Sequence, residues 1–111
     1  KLQEPVYFSH GQTHLVALPS DKFQISYTLH YPQTPIIRSQ YLSLEITPES
    51  FKEHIADCRT FALYDEITLL MELGLIKGGS LENAVVIKDD VVFSKEGLRH
   101  RDEMVRHKIL D

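Results

Sequence analysis

Every second residue from Phe23 to Tyr31 is apolar (Phe23, Ile25, Tyr27, Leu29, Tyr31), a strict period of two that predicts a β-strand with one buried face. Three further segments, Pro5 to Ser9, His14 to Pro19 and Ser39 to Thr47, read as strands from their β-branched and aromatic content. His10-Gly11 and Ser20-Asp21 are turn signals between the first three, so the four are expected to form an antiparallel meander. Thr47-Pro48 then has the form of a helix start, a hydroxyl cap followed by proline in the first turn, with Phe51, Ile55 and Cys58 as the inward stripe of a helix covering the sheet. Arg59 to Leu63 is a short extended piece, and a helix is expected from about Asp65 to Leu73, stopped by Gly74. A Gly78-Gly79 loop leads to a strand at Ala84 to Ile87, and Asp89-Asp90 turns the chain into Val91 to Phe93. Gly97 breaks the chain before a last helix from about Asp102, whose apolar positions Met104, Val105 and Ile109 have helical spacing. The order predicts an α+β fold: a two-layer sandwich of mainly antiparallel sheet covered by helices, with a small helix-and-strand insert over about 62–88.

Composition narrows the class. The chain has 111 residues, 42% of them hydrophobic and 25% charged, which suits one compact domain and argues against disorder. A net charge of -4 argues against nucleic acid as a partner, since phosphate backbones call for clustered Lys and Arg. The single cysteine, Cys58, has no internal disulfide partner, so a reducing, cytoplasmic location is expected. No stretch approaches the roughly 20 apolar residues of a membrane-spanning helix, so membrane contact is expected to be peripheral at most.

His107 and Asp111 carry the main candidate chemistry. Residues at i and i+4 share a helix face, so an imidazole and a carboxylate there can point at one zinc ion. The same spacing also arises as a solvated, weakly paired helix face. A catalytic zinc takes three protein ligands and keeps one open position, so a third ligand has to come from elsewhere. Glu103 lies one turn back, but it is separated from Asp111 by about 12 Å along the helix, too far to share one ion. His10, His14, His30, His54 and His100 are scattered and make no second pair of helical spacing. Thr60 offers a hydroxyl, Lys108 a cation beside His107, and Tyr31 a ring for stacking, each with a plain structural role as the alternative. Gly78-Gly79-Ser80 lacks the spacing of a phosphate loop, and no nucleophile-elbow pattern occurs. No Gly or Asn cap follows Asp111 and the chain opens without Met, so it is read as a piece of a larger protein.

Three blocks occur together in order: the Arg-Thr-Phe run at 59–61, the stretch from Gly74 to Ala84 with Gly-Gly-Ser at 78–80, and Asp102 to Asp111 with Val-Arg-His-Lys at 105–108. They resemble the second domain of the zinc-dependent UDP-3-O-acyl-N-acetylglucosamine deacetylase family of lipid A synthesis, over about residues 4–111. The resemblance implies that residues 1–111 form that domain and that His107 and Asp111 are zinc ligands. It further implies that Thr60 stabilises the oxyanion of the tetrahedral intermediate, that Lys108 contacts the anionic nucleotide portion, that Phe61 lies beside the sugar and that Tyr31 stacks on uracil. Tyr64, Ile67, Gly79, Ser80, Leu81 and Val86 fall at positions that form the acyl-chain passage. The implied partners are an acylated UDP-N-acetylglucosamine and an N-terminal domain of the same protein, which holds the remaining zinc histidine and the general base. A second acid-base histidine falls beyond Asp111. The isolated fragment is therefore expected to be inactive. At Leu18 the chain departs from a family lysine. The alternative from another functional class is a non-catalytic lipid- or protein-binding α+β module.

Overall fold

The computed structural model describes residues 1–74 and 84–111. The chain opens with two strands, β1 (Val6–His10) and β2 (Thr13–Ala17), joined through Gly11 at φ +59. They pair antiparallel, with Val6 opposite Ala17 and Phe8 opposite Leu15 on one face and Tyr7 opposite Val16 on the other. Both faces are exposed along their whole length. Next, β3 (Gln24–Tyr31) and β4 (Arg38–Glu45) form a separate antiparallel pair.

The expected four-stranded meander is thus two independent hairpins, and the patterns explain why. Apolar residues stand on both faces of β1 and β2, so no register of those strands defines a single buried side. In β3 the period of two holds: Ile25, Tyr27, Leu29 and Tyr31 turn inward, while Ser26 and His30 face out and bond Ser43 and Ser39 across the pair.

After β4 comes α1 (Pro48–His54). Thr47 caps it, accepting from Ser50 N–H at 3.0 Å while the Ser50 hydroxyl accepts from Thr47 N–H at 2.9 Å, a reciprocal capping box with Pro48 in the first turn. No residue of α1 itself is buried, and Phe51 is exposed. Of the expected inward stripe, Ile55 and Cys58 are buried, but both lie past the end of the helix.

The third sheet is mixed. Strand β5 (Thr60–Leu63) runs into α2 (Tyr64–Glu72), and the chain returns as β6 (Ala84–Lys88) parallel to β5. Gly74, at φ +71, follows the end of α2, the left-handed conformation that stops helices. Asp89 at φ +55 turns the chain into β7 (Val91–Phe93), antiparallel to β6. The expected Gly78-Gly79 loop lies outside the described residues.

The last element, α3 (Glu103–Leu110), is the helix that covers the sheets, packing on β3, β4 and β5. Its Met104 and Val105 join Leu29, Ile37, Val85 and Ile87 in the core, edged by Tyr27, Tyr31, Phe61 and Leu63. That core joins the β3–β4 hairpin to the parallel sheet, and the fold is α+β. None of the described helices is long and apolar enough to cross a membrane.

Candidate active site

The last turn of α3 aims His107 and Asp111 to the same side, with His107 Nδ1 at 3.6 Å from Asp111 Oδ2. The His107 side chain is only 16% exposed, and its Nδ1 is buried without a hydrogen-bond partner among the described residues. A buried ring nitrogen left bare is costly unless something else takes its lone pair or proton. Two ligands each about 2.0–2.2 Å from a tetrahedral zinc stand roughly 3.4 Å apart. The pair therefore fits one divalent cation, with Asp111 half open to incoming ligands.

A continuous set of contacts leads from this pair across the sheet. Lys108 Nζ is 3.6 Å from Asp111 Oδ2 and sits 5.6 Å from the centre of the Phe61 ring. Phe61 meets Tyr31 edge to face, centres 5.7 Å apart and planes at 81°. The end of β3, the second residue of β5 and the last turn of α3 thus converge, bringing Tyr31, Phe61, Lys108, His107 and Asp111 together. Thr60 is exposed, and its tie to the group runs through the backbone between Arg59 and Phe61.

Behind Thr60 lies an ion pair that sequence spacing does not reveal. Arg59 and Glu103 are 44 positions apart and both buried, Glu103 completely. The Glu103 carboxylate accepts from Arg59 N–H at 2.8 Å, Arg59 Nε at 2.9 Å, Arg59 Nη2 at 3.0 Å and Arg99 N–H at 2.9 Å. Arg59 Nη2 also donates to Gly97 O at 2.6 Å. Burial alone would raise the Glu103 pKa, but the Arg59 and backbone donors more than offset it and hold the carboxyl below its ordinary value. Glu103 is therefore committed to Arg59, which removes it as a metal ligand independently of its distance from Asp111.

A second group of donors, Asp57, Cys58 and His100, lies within 4.8 Å. His100 Nε2 is already bonded to both Asp57 oxygens, at 2.9 and 3.1 Å. Burial, with the Asp57 and Glu103 charges, pushes the Cys58 thiol up to about 12, so it stays neutral. This cluster braces the loop before α3 against the segment after α1.

Of the expected acyl-chain passage, Gly79, Ser80 and Leu81 lie outside the described residues. Tyr64 is exposed with Lys88 Nζ 4.6 Å from its ring centre, and Ile67 and Val86 are half-buried. Val86 pairs with Ala62 on the sheet face opposite the core residues Val85 and Ile87. A cleft of about 120 Å³ opens at the ends of β5 and β6, lined by Gln33, Thr34, Leu63, Tyr64, Ile87 and Lys88 among others. It reaches Tyr64 but neither Ile67 nor Val86. A wider hollow of about 420 Å³ near Leu18 and Lys22 shares no residue with the His107 group.

The family model described as UDP-3-O-acyl N-acetylglycosamine deacetylase matches residues 1–111. The chain is 60% identical over all 111 residues to a UDP-3-O-acyl-N-acetylglucosamine deacetylase of Chlamydia caviae and 61% identical to that of Chlamydia abortus, covering 40% of each. Against the protein of the same description from Chlamydia trachomatis serovar D it is 58% identical, covering 39%. The chain thus spans about two fifths of the length of these relatives.

Proposed function

The chain belongs to the UDP-3-O-acyl N-acetylglycosamine deacetylase family, and from that premise we propose that it is the second domain of a zinc-dependent amide hydrolase of lipid A biosynthesis. The substrate is UDP-3-O-(3-hydroxyacyl)-N-acetylglucosamine, whose N-acetyl group is removed. The observation that carries the proposal is the buried His107 Nδ1, without a hydrogen-bond partner among the described residues, beside Asp111 at the end of the contacts formed by Lys108, Phe61 and Tyr31.

His107 and Asp111 would hold the zinc, with a third ligand from the N-terminal domain of the same protein. A zinc ion held there would supply Lewis acidity toward the acetamide carbonyl and make water a better nucleophile near neutral pH. Water adds to the acetamide carbonyl, the C–N bond breaks, and acetate and the sugar amine leave. Thr60, exposed at the start of β5, donates its hydroxyl hydrogen to the oxygen that gains charge as water adds. The proton taken from water and returned to the amine is handled by groups outside residues 1–111.

Lys108 balances the charge of the nucleotide diphosphate, and its ammonium is placed by Asp111 on one side and the Phe61 face on the other. Tyr31 supplies a ring for the uracil, and Phe61 a wall for the sugar. Tyr64, Ile67 and Val86 contribute the described part of the acyl passage, where each buried CH₂ is worth about 0.8 kcal/mol. A reduced Cys58 suits a cytoplasmic enzyme whose membrane contact is at most peripheral.

The test is zinc content together with acetate release, measured on the full-length protein, its His107→Ala variant and residues 1–111 alone. Near-stoichiometric zinc and acetate release are expected in the unmutated full-length protein only. Zinc and activity retained after His107→Ala would defeat the assignment; zinc and activity in none of the three would favour a non-catalytic lipid- or protein-binding module.

A further inference from the structure

We propose that the buried Arg59–Glu103 pair is the positioning device for Thr60, fixing the start of β5 against the first turn of α3 and thereby setting where the Thr60 hydroxyl stands relative to His107. The inference rests on the roles given above to Thr60 and His107.

One carboxylate grips Arg59 at two levels. Glu103 Oε2 takes both the backbone N–H of Arg59, at 2.8 Å, and the side-chain Nε, at 2.9 Å. Gripping main chain and side chain of the same residue stops that residue from sliding along or turning about the strand. Thr60 is the next residue, so its Cα inherits the constraint. At the other end, Glu103 and His107 are i and i+4 on α3, on one face and about 6 Å apart along the axis. A rigid path of one ion pair and one helical turn therefore joins the oxyanion donor to the metal ligand.

The details point to placement beyond mere stability. Glu103 also bonds Arg99 N–H, and Arg59 Nη2 bonds Gly97 O, so the loop before α3 is drawn into the same lock. Yet Arg59 Nη1 is left buried with no partner among the described residues. A buried pair with a bare donor is a poor way to gain stability compared with apolar packing; what it gives is one fixed geometry. An oxyanion donor needs that geometry, because a displacement of about 1 Å in a reacting arrangement costs roughly a hundredfold in rate.

The test is a double-mutant cycle on the full-length zinc-loaded protein with Glu103→Gln, Thr60→Ala and both together, reading kcat, KM and bound zinc. Expected is a fall in kcat of about tenfold or more for Glu103→Gln with KM within about twofold and zinc retained, and a further fall of less than about twofold when Thr60 is already Ala. Arg59→Lys, which keeps the charge and the backbone donor but loses the fork, should follow the same pattern more weakly. Equal falls from Glu103→Gln in both backgrounds, or no fall, would overturn the proposal. So would loss of zinc or of folded protein in both Glu103→Gln and Arg59→Lys, which would assign the pair to stability. Absence of acetate release from the unmutated protein is a separate result, and would strike the reading of the site itself.

Discussion

At the scale of single residues, the site mixes groups committed to structure with groups left available. Glu103 is fully committed, and its acid sensitivity follows. Its pKa is held below the ordinary carboxylate value in the folded protein, so its contribution to stability is complete above about pH 4.3, the unfolded value, and is lost as pH falls through the lower folded value. Acid titration of the full-length protein followed by circular dichroism should therefore show stability falling below about pH 4.3. Glu103→Gln should lower stability at neutral pH by about 3–5 kcal/mol, the cost of leaving a buried partner charged and alone, and flatten that acid limb. Lys108 is the opposite case. It is a third exposed and touches Asp111 and Phe61 from the side, so it is available to an anion. Lys108→Ala should raise KM by roughly tenfold or more while kcat stays within about threefold, the signature of binding energy shared by substrate and transition state. A fall in kcat at constant KM in steady-state assays would place the lysine in the chemistry instead.

At the scale of elements, the loop between β7 and α3 does as much positioning as the helices. Gly97 adopts φ +75, and its carbonyl accepts from both Arg59 Nη2 and the Ser94 hydroxyl. Among the described residues nothing would crowd a Cβ there, so the cost of Gly97→Ala is that of the left-handed backbone, about 1–2 kcal/mol. Thermal unfolding should show that loss, and kcat should fall with it if the displaced carbonyl frees Arg59. The same elements show what can be read from sequence. The α1 cap at Thr47-Pro48, the stops at Gly74 and Gly97, the turn at Asp89 and the period of β3 were all legible, because each depends on a few neighbouring residues. His107 and Asp111 were legible as a pair for the same reason, one helical turn separating them. Three things were not: the separation of β1–β2 from β3–β4, the choice of α3 over α1 as covering helix, and the Arg59–Glu103 bond. All are decided by contacts between distant parts of the chain. Phe51 illustrates the limit, since helical spacing marked it as inward, yet it stays exposed while Ile55 and Cys58 are buried just beyond the helix end.

At the scale of the whole molecule, one metal ion would couple this chain to the rest of a longer protein, and that coupling is measurable without any substrate. On the proposed reading, His107 and Asp111 supply two of the three ligands that a catalytic zinc site provides, and the N-terminal domain of the same protein supplies the third. A ligand that binds only the folded state stabilises it by RT ln(1 + [L]/Kd), about 4 kcal/mol at a thousandfold excess over Kd. For domains of 150–250 residues each kcal/mol moves the midpoint by about 2–4 °C. Stripping zinc from the full-length protein with a chelator should therefore lower its Tm by roughly 8–16 °C, and restoring zinc should recover it. If the proposed assignment holds, the His107→Ala variant should unfold at the same temperature with and without chelator, since it lacks the imidazole beside Asp111. Residues 1–111 alone should show little zinc-dependent shift. A full-sized shift in the isolated chain would mean that α3 and its neighbours build a complete site by themselves, and a zinc shift surviving in His107→Ala would place the ion elsewhere in the protein.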